Sequence, residues 1–347
     1  MSFSILSADH LLGPESLPPD YDSLAVADGR IRVGPLADLR ERFPRAAVER
    51  FPGCTLLPAF ADHHLHLGEI LRRAAALDLS ACLSVADVEA ALAPEAKGQT
   101  WLTAYSLNMN RFEGWTEAPR TFLSRVIKNR PAAIFSQDLH SIFVNQRALK
   151  EAGISQSADG VLKEEQGKPI RQALPLPEGA ELRAALGRVA ADLHRVGLVA
   201  TDDMGGSEVR LRLHGLENPE PLPLKIRTSI YEEDLDNPRL GGFVTGKRRG
   251  RLSDGPLKLF ADGSLGSRNA WMHEAYTGGK DCGQPNYSEK HLAFLIRRAR
   301  ARGLSLAVHA IGDRTVGWVA EHLGSRDRME HVQHMRKEDA ALLAASG

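Results

Sequence analysis

Cysteine is scarce. Cys54, Cys82 and Cys282 are the three in 347 residues, and none stands at CxxC spacing, which argues against a disulfide framework and a cysteine-based zinc site. A reducing cytoplasm is the expected compartment. An excess of charge of either sign is lacking too: lysine plus arginine and aspartate plus glutamate each total 44, so no bulk field draws the chain to nucleic acid or to an acidic membrane. The expected partner is a small neutral molecule. Long apolar runs are missing, and the N-terminus MSFSILSADHLLGPESLPPDY has no basic stretch followed by an apolar core; neither secretion nor membrane insertion is expected. No repeat or low-complexity tract stands out. What the chain does have is 43% hydrophobic residues, enough for one large domain with an accessory piece.

Residues 1–56 hold short apolar runs broken by turns. In SLAVADGRIRVG, Asp28-Gly29 separates two alternating stretches as a hairpin would, so this part reads as a small β domain. From Leu56 the texture becomes apolar runs followed by amphipathic helices, the alternation of parallel βα units. A helix over 179–196 sets Leu182, Leu186, Val189, Leu193 and Val196 on one face, stops at Gly197 and feeds the strand LVATDD. LKIRTSIY and GPLKLFADG are the next strands. Ser288 caps a helix with Leu292, Leu295, Ile296 and Ala299 inward, ahead of the strand LSLAVHAIG. A helix at 314–323 leads to RMEHVQH, and a last helix starts near Lys337. The stretch from about 79 to 174 breaks this alternation and reads as an inserted subdomain, with GVLKEEQGKP as a hairpin candidate.

Chemistry concentrates at strand ends. In LLPAFADHHLHLG, His64 and His66 are two apart and face the same way on a strand, so both imidazoles can meet one ion; a polar strand end with solvated histidines is the other reading. His309 and His331 repeat the placement on later strands, where a lone histidine also serves as a hydrogen-bonded core residue. Asp313 and Arg314 either orient His309 or open the next helix. Lys258 sits inside an apolar strand. Burial there would lower its pKa and free the amine to react with carbon dioxide, giving a two-oxygen anion suited to bridging cations; a lysine snorkelling to the rim is the alternative.

The order HxH, lysine, histidine, histidine resembles the amidohydrolase superfamily. PAFADHHLHL, AAIFSQDLHSIFVNQRALKEAGI, KLFADGSLGSRNA, AVHAIGDRTV and MEHVQH resemble, more narrowly, amidohydrolase family 3, the YtcJ-like branch, from about residue 20 to the end. That resemblance implies an α/β fold, a (β/α)8 TIM-type barrel over 57–347 beside the β domain, with LVATDD and LKIRTSIY as strands two and three. It implies His64, His66, Lys258 as a carbamate, His309 and His331 as ligands of one or two divalent ions, zinc foremost. It makes Asp62 a partner behind the ligand pair, and His140 and Arg268 substrate-pocket residues; a structural histidine in the insertion and a surface arginine on a glycine-rich turn are the competing readings of these two. Ala59 and Asn269 depart from the glycine and threonine usual in the family without removing a ligand. The implied activity is hydrolysis of a C–N bond, an amide or cyclic amide, by metal-activated water, with deamination of a ring amidine as its nearest rival.

Family members continue into strands seven and eight, where an aspartate acts as the base; this chain stops at AALLAASG, with Asp339 the last aspartate. The catalytic residue is therefore unassigned, with Asp62 and Asp262 as the fallback bases. The expectation is a barrel lacking two strands, whose open edges favour association of copies into a homo-oligomer. The second function class is a catalytically dead paralogue that binds metal or a partner.

Overall fold

The computed structural model describes residues 4–13, 16–27, 29–98, 100–155, 159–214, 216 and 221–346. They fall into two units, Met1–Phe60 and Ala61–Gly347.

The first unit is a four-stranded sheet of β1 (Ser4–Leu11), β2 (Ser23–Ala27), β3 (Arg30–Gly34) and β4 (Ala47–Leu56), in the order β3-β2-β1-β4. Ile5, Ala25 and Leu39 of the helix Leu36–Arg42 form its small core. β2 and β3 pair antiparallel with Ala27 opposite Arg30, the register a two-residue turn imposes, and Gly29 takes the left-handed φ of +70° that such a turn demands. Asp28, the other half of that expected turn, lies outside the described residues.

The second unit begins on β5 (Phe60–Leu65), followed by the helix Leu67–Ala75. A separate sheet then forms from β6 (Leu77–Asp78), β7 (Leu102–Leu107), β8 (Ala132–Ser136), β9 (Ser141–Val144) and β10 (Val161–Lys163), in the order β10-β9-β8-β7-β6. Every residue of β8 is buried. Ala132 and Ile134 belong to one apolar cluster and Ala133 and Phe135 to another, which is why AAIFS reads as a continuous apolar run with no alternation. The segment 160–169 is not the hairpin expected from its glycines: after β10 it turns into 3-10 and α helix, Glu164–Gly167 and Lys168–Ala173. Pro169 explains this, because it has no N–H to give a returning strand but fits the first turn of a helix.

The third sheet contains β11 (Leu198–Asp203), β12 (Lys225–Ile230), the short β13 (Arg248–Arg249), β14 (Leu252–Phe260), β15 (Leu306–Ala310) and β16 (Arg328–His331). Its order is β16-β15-β14-β12-β11-β5, with β13 paired to β14, and the pairs β11–β12, β12–β14, β14–β15 and β15–β16 are parallel. The sheet curls into a half-barrel. Its two outermost strands come back towards each other, so that His64 of β5 and His331 of β16 lie with ring centroids 4.8 Å apart. Helices pack on the outer face: Leu182, Leu186 and Val189 of Gly179–Arg195 and Leu292, Leu295 and Ala299 of Glu289–Ala301 are buried. Ser288 caps the latter by accepting from the His291 N–H. Val196, expected inward, follows the last helical residue and is 63% exposed. Among the described residues no helix is long and apolar enough to cross a membrane.

β14 contains an irregularity that aims its side chains. Thr228 pairs with Asp254 and Ile230 with Leu257, so three residues on β14 span what two span on β12: a bulge at Gly255–Pro256. Gly255 approaches β12 so closely that a Cβ would stand 2.8 Å from the Thr228 carbonyl oxygen. Beyond the bulge Leu257 and Leu259 face the outer helices, and Lys258 faces the interior.

Candidate metal centre

Four histidines gather at the carboxyl ends of the half-barrel strands. His64 comes from β5, and His66 follows it at the N-cap of the helix Leu67–Ala75. His309 is on β15, and His331 ends β16. The rings form a chain: His66 to His64 at 5.6 Å, His64 to His331 at 4.8 Å, and His331 to His309 at 4.6 Å between centroids. His331 has φ +72° and the β-branched Val332 φ +46°; such left-handed non-glycine residues carry strain and cluster at functional sites.

Lys258 is near enough to His66, His309 and His331 to lower their pKa values. It is 2% exposed, its Nζ has no hydrogen-bond partner, and that nitrogen stands 5.0 Å from the centre of the Phe260 ring. Burial lowers its pKa to about 8, with Arg328 pushing the same way and Glu330 opposing. Burial likewise drives His331 down to about 4, helped by His309, His64 and Lys258. It lowers His309 and His66 as well, so these imidazoles are neutral at pH 7, the form in which imidazole binds metal.

Hydrogen bonds fix two tautomers. The ionised Glu330 can only accept, so His64 Nδ1 donates to Glu330 Oε2 and Nε2 is the nitrogen left to meet a metal ion. The Gly263 carbonyl accepts from His309 Nε2 at 3.0 Å, leaving Nδ1. Behind Glu330 a charged network crosses the interior. Arg328 donates to Glu330 and, at 2.8 Å, to Asp202 Oδ2; Asp202 also accepts from Arg227 Nε at 2.8 Å and from His63 Nδ1 at 3.0 Å. Sequence reading singled out none of Glu330, Arg328 and Asp202. The signal for Glu330 was the one used for Lys258: a charged residue within a short strand, two positions from Arg328 and therefore on the same face.

The remaining expected site residues are placed as follows. Asp62 Oδ1 accepts from the His64 N–H at 2.9 Å and so shapes the strand end from the backbone. Asp313 is the first residue of the helix Asp313–Ala320, whose N-terminus has no side-chain cap, and its Oδ1 accepts from the His273 N–H at 2.9 Å. Asp262 lies 3.5 Å from His309 Nε2, yet its carboxylate already accepts from the backbone of Trp271, Ile311 and Gly312 at 2.9–3.1 Å, which makes it a clamp between two loops. Arg268 is exposed with φ +57°. His140 is exposed in the turn between β8 and β9, and Asp339 on the helix Lys337–Ser346 is paired with Arg336.

The donor chemistry fits a divalent cation: neutral imidazoles with lone pairs assigned by their partners, and a buried amine with nothing bound to it. Among the described residues no three histidine, cysteine, aspartate or glutamate side chains stand in chelating arrangement as they are.

Parallel strands curled into a half-barrel, with histidines at their carboxyl ends, define an α/β protein of the TIM-barrel hydrolase kind. The sequence profile of the amidohydrolase family matches residues 52–347, and the chain belongs to that family. It is 28% identical over 354 aligned positions to YtcJ of Bacillus subtilis (strain 168), an amidohydrolase by name, covering 91% of this chain and 66% of that protein. It is 27% identical to LONG AFTER FAR-RED 3 of Arabidopsis thaliana, covering 92% of this chain and 62% of the relative. The chain thus spans about two thirds of the length of these relatives. Among solved structures, uncharacterised metal-dependent hydrolases of Pyrococcus horikoshii OT3 and Pyrococcus furiosus superpose with TM-scores of 0.77 and 0.79. Both cover 99% of this chain, and 73% and 75% of their own, at 22% and 20% identity; this likeness is one of fold.

Proposed function

We propose that the chain serves a metal-dependent hydrolase acting on a C–N bond, an amide or cyclic amide, of a small molecule. His64, His66, His309 and His331 would hold one or two divalent ions, zinc foremost, together with a carboxylated Lys258. The buried, partnerless Nζ of Lys258 carries this reading. Burying a charged ammonium with no partner is costly, whereas the neutral amine can attack carbon dioxide, forming an N–C bond and releasing a proton to give a carbamate. When bound, a divalent ion supplies the acidity that makes water a nucleophile at neutral pH and polarises a carbonyl. The chain's own part is to present lone pairs: Glu330 holds the His64 proton on Nδ1, and the Gly263 carbonyl holds the His309 proton on Nε2. Phe260, packed between Lys258 and His309, keeps water from the amine. Arg268 and His140 are the proposed substrate contacts. The names borne by YtcJ and by the Pyrococcus structures support the hydrolytic reading. Three free cysteines fit a reducing compartment.

Elemental analysis of protein purified with bicarbonate tests this. Wild type is expected to retain metal, His64→Asn/His66→Asn to lose it, and Lys258→Ala to lose most of it. Equal metal in all three would overturn the ligand assignment. An amide and N-acyl panel, with chelation and metal return, tests the hydrolysis separately; metal without turnover would leave a binding protein.

A further inference from the structure

A cavity of about 330 Å³ opens between the helix Ser207–His214, the turns around Pro238–Phe243 and the β13–β14 hairpin. Its floor is Asp254, 1% exposed. One oxygen of this carboxylate accepts from Arg210 Nε at 2.9 Å, and the other from the Val244 N–H at 3.2 Å. The Asp254 backbone bonds Gly246 and Lys247 at 2.8 and 2.9 Å. A single buried residue therefore fixes both a wall arginine and the turn that carries Lys247. Arg248 and Arg249 are held in the hairpin ladder opposite Ser253 and Leu252, and Arg239 completes the wall.

Five cationic residues thus line the cavity, and of them Arg210 engages the Asp254 carboxylate. Lys247 donates to the Gly242 carbonyl at 2.9 Å, and Arg249 meets a histidine nitrogen of His214. Among the described residues no carboxylate pairs with Arg239, Lys247, Arg248 or Arg249. Like charges held on a fixed scaffold raise the energy of the empty cavity, and an incoming anion relieves it. Guanidinium forks match phosphate oxygens bidentately. The volume is at the small end of ligand cavities, which run from roughly 300 Å³ upward, and the chain's equal totals of acid and base provide no extended basic surface for a long polyanion.

We propose that this cavity binds a small phosphate-bearing polyanion of about diphosphate size. It is separate from the histidine cluster: Asp254 and Lys258 share β14, and the bulge between them turns one to the outer helices and the other inward. The site therefore concerns a second ligand, not the substrate of the proposed hydrolysis.

Calorimetric titration of pyrophosphate into the full chain as purified, at fixed ionic strength against a chloride reference, tests the proposal. Saturable binding at one site is expected. Arg239→Ala and Arg248→Ala should each weaken it about tenfold, the size of one lost charge-assisted hydrogen bond. Arg248→Lys should retain part of the affinity, since charge persists without the fork, and Arg326→Ala, an exposed change elsewhere, should leave it intact. All three positions are exposed, and circular dichroism verifies that the variants fold. Absence of saturable heat overturns the proposal. So does affinity that survives both arginine-to-alanine changes, which would assign the anion to the histidine cluster.

Discussion

Asp203 ends β11 with one oxygen accepting from the backbone of Leu67 and Gly205 at 2.9 and 3.1 Å and the other buried without a partner. Burial outweighs those two bonds and lifts its pKa from 3.8 to about 7. The folded chain then keeps a proton that the unfolded chain releases between about pH 4 and pH 7. The stability this group contributes is full below pH 4 and is lost as pH rises through 7. Asp203→Asn keeps an acceptor for both N–H groups and removes the titration. Between pH 5 and pH 8 the variant should lose less unfolding free energy than wild type, by up to about 3 kcal/mol; urea unfolding at each pH measures this, and parallel pH profiles would show that Asp203 does not titrate there. At this scale the sequence makes His64, His66, Lys258, His309 and His331 conspicuous, because each combines an unusual residue type with a place in a strand or, for His66, just past its end. Asp203 escapes notice because its burial and its bond to the Leu67 N–H depend on a segment more than a hundred positions away, whereas Glu330 carries a local signal, a charge within a short strand.

Loops join the elements through a few buried acceptors, and Asp262 is the clearest. It ties the segment after β14, through Trp271, to the residues that open the helix Asp313–Ala320, through Ile311 and Gly312. Arg314 stacks on Trp271 at 4.4 Å, and Asn286 Nδ2 donates to the Phe260 and Asp262 carbonyls at 3.0 Å, so the long connection up to Tyr287 is pinned along its length. Asp262→Ala strands three N–H groups and is expected to cost about 2–4 kcal/mol. It should also open 263–287 to limited proteolysis. Asp262→Asn should retain part of the clamp, and an unchanged digestion pattern in the alanine variant would deny the clamp its role. Most helices and strands were legible from period and caps, as with Ser288 ahead of Glu289–Ala301 and the strand Leu198–Asp203 after its helix. The hairpin expected at 160–169 fails because Pro169 has no N–H for a returning strand and fits the first turn of a helix. The pairing order of the inserted sheet rests on contacts between distant strands, which local periodicity does not encode.

Across the molecule, the outermost strands of the half-barrel meet through side chains. Asp202 on β11 accepts from Arg227 on β12, Arg328 on β16 and His63 on β5, and His64 and Glu330 add a further link. Asp202→Ala would leave two partly buried guanidinium groups short of an acceptor. The expected loss is about 2 kcal/mol, below the value for a fully buried pair because Arg227 and Arg328 keep some solvent. Denaturant unfolding measures it, and a loss within error of zero would mean that the network is replaced by water. The bulge in β14 has a consequence at this scale. A strand sends odd and even positions to opposite sides, so facing along it behaves as a parity, and Gly255–Pro256 is where β14 changes parity. Were the strand to pair one to one with all its residues kept, Lys258 would turn out among the helices and Leu257 and Leu259 into the polar interior, with every side chain chemically unaltered. The inner lysine and the outer basic cavity are thus joined by the counting of residues along one strand: the bulge absorbs the odd residue, and a single-codon deletion within it would restore regular pairing and leave both facings as they are.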